Sequence, residues 1–105
     1  MPVKLWLDDI RDPNTYGYIG WVWVKTYKEA IELLSTEIVE IASLDHDLSI
    51  QQTMGFKDVE KTGYDVLCWM EQHNIWPKKG VFVHSLNPSG KERMKQVIEK
   101  YYKCQ

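Results

Sequence analysis

The chain has only two cysteines, Cys68 and Cys104, and neither falls in a spacing that a disulfide framework or a zinc site would need. Reduced thiols and a cytoplasmic setting are the expectation. No apolar run approaches the length that crosses a bilayer, so no membrane partner is expected. The first such run, Val3 to Leu7, is too short for the core of a secretory signal, and Asp8 stops it. A large excess of charge of either sign is lacking as well, with 13 Lys and Arg against 15 Asp and Glu. The formal net charge is −2, so no global field draws in duplex nucleic acid, and an anionic substrate must be held locally by a few cations or a metal. There is no Walker loop, no G-x-G-x-x-G and no G-x-S-x-G elbow, which argues against a Gly-rich phosphate cradle and a hydrolase-type serine nucleophile. Internal repeats and low-complexity segments are absent too.

What remains is a chain of 105 residues, 44% apolar and carrying five Trp. That is enough for one core and not for two, so residues 1–105 are expected to form a single domain. Val3 to Leu7 reads as a strand that is apolar throughout. Residues 10–20 read as a loop, with turn chemistry at Arg11-Asp12-Pro13-Asn14. Trp21 to Val24 is a second strand of aromatic and β-branched residues. Thr26 to Glu29 and Thr62 to Asp65 have the form of capping boxes, each opening a helix. A third strand lies within Ile38 to Leu44, and Val81 to His84 is a fourth. Ser49 to Lys61, polar with one glycine, is expected to be a flap. Asn87-Pro88 opens the last helix, whose buried face is marked by Met94, Val97, Ile98 and Tyr101.

Strands alternating with helices imply an α/β domain with a parallel sheet. One helix is missing after the first strand, and Tyr16, Tyr18, Ile19 and Trp21 are expected to cover the sheet face it would have covered. For Tyr16, Tyr18, Trp21 and Trp23, packing is preferred here to stacking on a base.

Three apolar runs end in polar groups: Leu7 in Asp8-Asp9, Leu44 in Asp45-His46-Asp47, and Val83 in His84-Ser85. The carboxyl ends of parallel strands share one edge, where ligands bind, so these groups are expected to form one acidic, histidine-containing site. Two carboxylates about 4 Å apart repel by roughly 4 kcal/mol at an effective dielectric near 20. Asp8, Asp9, Asp45 and Asp47 together therefore call for a hard divalent cation, Mg²⁺ first and Mn²⁺ as the alternative. His46 and His84 are candidates for moving a proton, with no basis for saying which is acid and which is base. His73 reads as structural. Arg11, Ser85, Asn87, Gly90 and Arg93 are candidates for holding phosphate, the last four around a helix N-terminus that favours anions.

Four stretches then suggest a family. They are Leu7-Asp8-Asp9-x-Arg11-x-Pro13, Ser43-Leu44-Asp45-His46-Asp47-Leu48, Thr62-Gly63-Tyr64-Asp65-Val66-Leu67 and Val83-His84-Ser85-x-Asn87-Pro88-x-Gly90-x-x-x-Met94. In this order they resemble the cyclic-phosphate processing receiver-like domain family. More distantly the layout is similar to response-regulator receivers, which carry an acidic pair, a phosphoacceptor Asp and a Ser or Thr where this chain has Asp8-Asp9, Asp45 and Ser85. The first receiver helix and the fifth strand with its lysine have no counterpart here, and the two histidines have no place in ordinary phosphorelay.

The resemblance implies a flavodoxin-like three-layer sandwich with a reduced, mainly four-stranded parallel sheet, about three helices, and a loop in place of the first receiver helix. It also implies action on a cyclic phosphate of a nucleotide or ADP-ribose derivative. The residues at the strand ends put forward Asp45, His46 and His84 as the catalytic group. Two other functions fit the same residues. One is a module that sequesters a cyclic nucleotide uncleaved. The other is a receiver in which Asp45 accepts a phosphoryl group.

Overall fold

A computed structural model describes residues 2–46, 62–85 and 88–103. The Ser49 to Lys61 segment, Asp47 and Asn87 lie outside the described residues. Four parallel strands, β1 (Val3–Leu7), β2 (Val22–Val24), β3 (Val39–Leu44) and β4 (Val81–Val83), form one sheet in the order β2-β1-β3-β4. The helices are α1 (Tyr27–Leu34), α2 (Gly63–His73) and α3 (Pro88–Lys103). Between β1 and β2 lies only a turn of 3₁₀ helix, Pro13–Tyr16, as the turn chemistry there implies.

The helix starts follow from their caps. Thr62 accepts from the Asp65 N–H while Asp65 accepts from the Thr62 N–H, which closes the expected box. The box at α1 closes one residue off. Thr26 accepts from the Glu29 N–H, but Glu29 Oε1 accepts from the Lys25 N–H at 3.0 Å. Asn74, in the left-handed conformation at φ 54°, ends α2.

Alternation along β1 sends Leu5 and Leu7 to one face of the sheet and Trp6 to the other. On the first face, Leu5, Leu7, Ala42 and Leu44 join Ala30 and Leu34 of α1, Val66, Leu67 and Met70 of α2, and Met94 of α3 in one buried cluster. Each Leu, Val or Met side chain among them contributes about 1.5–3 kcal/mol by leaving water. The second face carries a row in register: Trp23, Trp6, Ser43 and Phe82. The 10–21 loop is the layer over this row. Trp6 is buried against Tyr16, Tyr18 and Trp21. Ile19 does not share in this cover, being 67% exposed, and the cover stops short of Phe82.

Candidate active site

The carboxyl edge of the sheet is pinned by backbone. The Asp8 N–H donates to the Val24 carbonyl (3.1 Å), Asp45 to Leu7 (2.9 Å) and His84 to Leu44 (3.0 Å). Each of these residues extends the ladder one step past its strand, so their side chains start from a rigid edge. The edge between β1 and β3 is also where the strand order reverses, the position at which open α/β sheets bind ligands.

Asp8, Asp9 and Asp45 meet there. All three are buried, and one carboxylate oxygen from each lies within 4.8 Å of the others. Asp8 Oδ1 accepts from the N–H groups of Ile10 and Arg11, both at 2.9 Å, which fixes its rotamer and folds the loop over it. Trp23 Nε1 donates to the Asp8 carbonyl (2.7 Å) and Trp6 Nε1 to the Arg11 carbonyl (2.9 Å). Asp45 Oδ1 accepts from the His46 N–H at 2.8 Å, and the Ser85 hydroxyl donates to the Asp45 carboxylate. Burial first, and then the charge of Asp8, push the Asp45 carboxyl up to about 6; Arg11, Ser85 and the His46 N–H only partly oppose this. Among the described lysines and arginines, Arg11 is the one seen at Asp8. Arg11 Nη1 is 3.7 Å from Asp8 Oδ2, and it donates to the His84 carbonyl at 3.1 Å.

His84 sits on the other side of Asp8. Its Nε2 is 3.1 Å from Asp8 Oδ2 and its Nδ1 is 2.7 Å from Ser43 Oγ. A carboxylate only accepts, so Nε2 carries the hydrogen and Nδ1 accepts from the Ser43 hydroxyl. Burial lowers the His84 pKa, against the raising effect of Asp8, and this single tautomer meets both contacts with a neutral ring. The ring also lies flat on Trp6, centroids 3.9 Å apart and 5° from parallel. Ser43, His84 and Asp8 have the order of a hydrolase triad, but Ser43 is buried beneath the ring and has no role as a nucleophile. It orients His84, which in turn holds Asp8. Sequence reasoning passed over Ser43 and Trp6. The available signal was a lone polar residue two positions before Asp45, in register with a Trp on the same face.

His46 is placed differently. Its carbonyl accepts from the Gly63 N–H at 2.9 Å, and its ring fills the space where a Cβ on Gly90 would stand, 2.5 Å from Cγ. The close backbone approach that Gly90 allows is thus taken by an imidazole. Gly63 has a similar duty, since a Cβ there would stand 1.8 Å from the Asp45 carbonyl oxygen. Arg93 lies over the Tyr64 ring at 4.5 Å. Among the described site residues, then, Asp8, Asp9, Asp45, Arg11, Ser85 and His84 converge, while Arg93 engages an aromatic on α2.

The donor set suits a divalent cation. Oxygens within 4.8 Å of one another match the spread of about 4–5 Å across a hard ion with metal–oxygen distances of about 2.0–2.6 Å. An acidic pair after β1, a carboxylate after β3 and a serine after β4, on a 2-1-3-4 parallel sheet, define a receiver-type α/β domain. The chain belongs to the cyclic-phosphate processing receiver domain family, whose model matches residues 3–100. No curated protein and no solved structure gives a significant match. No helix among the described residues is long and apolar enough to cross a membrane.

Proposed function

We propose that this domain is a metal-dependent phosphoesterase that opens a cyclic phosphate on a nucleotide or ADP-ribose derivative. The observation that carries the reading is the buried Asp8-Asp9-Asp45 cluster, one carboxylate oxygen of each within 4.8 Å of the others, with Arg11 beside Asp8. Asp8, Asp9 and Asp45 would hold Mg²⁺ or Mn²⁺, joined by Asp47. Bound there, the ion would polarise a phosphoryl oxygen and lower the pKa of a water.

The remaining work falls to the chain. The Arg11 guanidinium, on the rim of the cluster, binds phosphate oxygens as a planar donor. Ser85, already on Asp45, and Asn87 with the N-terminal turn of α3 supply further donors. Water adds to phosphorus, one ring P–O bond breaks, and the departing oxygen takes a proton, leaving a phosphomonoester. His46 and His84 are the two candidate proton carriers, and both His84 nitrogens are engaged in this structure. His84 keeps Asp8 aimed and enters proton transfer only by leaving Ser43 or Asp8.

The test is incubation with Mg²⁺ or Mn²⁺ and a panel of cyclic phosphates, followed by ³¹P NMR. A phosphomonoester product that disappears in Asp45→Asn is expected. No turnover, or full turnover by Asp45→Asn, overturns the reading. One observation favours a second reading: the Ser85–Asp45 hydrogen bond pairs the two residues that an ordinary receiver uses around its phosphoacceptor. Acid-labile labelling by acetyl phosphate, lost in Asp45→Asn, would support that reading. Tight metal-independent binding with the ligand recovered intact would instead mark a sequestering module.

A further inference from the structure

Beside the acidic cluster lies a cleft of about 320 Å³, lined by Trp6, Arg11, Tyr16, Tyr18 and His84. Four of these five residues are aromatic rings. Tyr16 and Tyr18 pair with Trp6, at centroid distances of 6.4 and 4.9 Å, yet they stay 57% and 42% exposed. They lie across the sheet from the aliphatic core, so their open faces are not committed to packing. The floor is rigid. His84 is flat on Trp6 and tied through both nitrogens, and Trp21 braces Trp6 and Tyr18 edge-on at 6.3 and 5.3 Å. A preorganised aromatic wall binds a flat ring with little ordering cost. The volume stands at the lower end of the roughly 300–1,000 Å³ of small-molecule pockets, room for one small planar group.

The cleft and the acidic cluster share two walls. Arg11 Nη1 and His84 Nε2 lie 3.7 and 3.1 Å from Asp8 Oδ2. A ligand with phosphate at the cluster and a ring in the cleft need therefore span only one layer of side chains. We propose that this cleft holds the nucleobase of a ligand whose cyclic phosphate is on the ribose that carries that base. The assignment rests on the cyclic-phosphate reading of the adjacent cluster and narrows it. A ligand with its cyclic phosphate on a second, distal ribose would carry its base past the cleft. Aromatic faces stack on every base, so adenine, guanine and pyrimidines are discriminated weakly.

The experiment compares kcat/KM for nucleoside 2′,3′-cyclic phosphates, a base-free ribose cyclic phosphate and an ADP-ribose cyclic phosphate closed on its distal ribose. Wild type is expected to prefer the nucleoside form over the base-free one by about ten- to a hundredfold. That preference is expected to shrink to about threefold or less in Tyr16→Ala/Tyr18→Ala and to persist in Tyr18→Phe, which keeps the ring. Circular dichroism establishes that the variants are folded, and each single alanine variant serves if the double one is not. Equal turnover with and without the base, a preference that survives the alanines, or preferred turnover of the distal-ribose ligand overturns the assignment.

A second readout separates the two claims. Adenosine monophosphate is expected to quench tryptophan fluorescence through Trp6, and the alanine variants are expected to lose the quench. If no cyclic phosphate is cleaved but this quench and its loss are seen, the phosphoesterase reading fails and base binding stands. If cyclic phosphates are cleaved without the quench or the base preference, base binding fails and the phosphoesterase stands.

Discussion

The two ends of the sheet follow opposite rules. At the carboxyl end the buried groups are polar: Asp8, Asp9, Ser43, Asp45 and Ser85. At the amino end, aromatic rings pack together and charges stay outside in pairs. Trp76 stacks on Tyr101 at 4.2 Å and meets Tyr102 edge-on at 5.9 Å, and Lys79 pairs with Glu40 at 2.8 Å on the surface. Even the titratable groups differ. Burial first, and then Tyr101, push the Tyr102 hydroxyl up to about 12, so it stays neutral at any ordinary pH while donating to the Pro77 carbonyl at 2.7 Å. Asp45, at about 6, is ionised at neutral pH against both its burial and Asp8. One end packs rings against one another; the other gathers buried carboxylates, the group that the proposed function assigns to a cation. Stability and activity should therefore be separable by position.

The largest expected effect is Asp45→Asn. Cyclic-phosphate turnover should fall by at least about a hundredfold, the scale for removing an electrostatic partner of a transition state. Stability in chelator should rise instead. The native carboxyl keeps its proton up to about 6, well above its ordinary 3.8. The native state thus binds more protons than the unfolded chain between those values, and stability falls as pH climbs through them, by roughly 2–3 kcal/mol in all. His84 has the opposite sign. Its pKa is lowered, so the unfolded imidazole protonates first, and its contribution is lost as pH drops below about 6.5. Urea midpoints across pH for wild type minus Asp45→Asn isolate the carboxyl; a flat difference would remove the contrast between the two ends.

Gly63→Ala comes next, at about 3 kcal/mol, because its Cβ would collide with the Asp45 carbonyl oxygen. Urea denaturation measures it, and turnover should fall with it, since the Asp45 backbone must move. Trp76→Ala should cost about 2 kcal/mol through the lost ring packing, with kcat/KM within about twofold of wild type. A turnover loss matching that of Asp45→Asn would show that the ends are coupled. Lys79→Ala, which removes an exposed pair, should shift the midpoint by no more than about 0.5 kcal/mol.

Much of this was legible in the chain because it is local. Thr62 and Asp65 are three residues apart and closed the expected box. The runs ending at Leu7, Leu44 and Val83 are the strands β1, β3 and β4, and the acidic cluster formed where two of them stop. Less legible was anything that depends on two distant residues sharing a face. Ser43 and His84 are 41 positions apart and meet at 2.7 Å, and their contact sets the tautomer of the ring. Tyr16 and Tyr18 read as packing residues because aromatics beside a strand usually are, and their half-open faces depend on how the 10–21 loop lies across Trp6.

Residue order alone determined the alternation of strands and helices, the helix starts, and the gathering of carboxylates at one edge. Each follows from spacing along the chain and from the rule that parallel strands end together. Tertiary structure alone decided that His84 is held through both nitrogens and that His46 lies against Gly90, that Arg11 is shared between Asp8 and the carbonyl of residue 84, and that an open aromatic cleft adjoins the acidic site. The reason is that register and loop path set distances between groups far apart in sequence, and hydrogen-bond direction, burial and charge all depend on those distances.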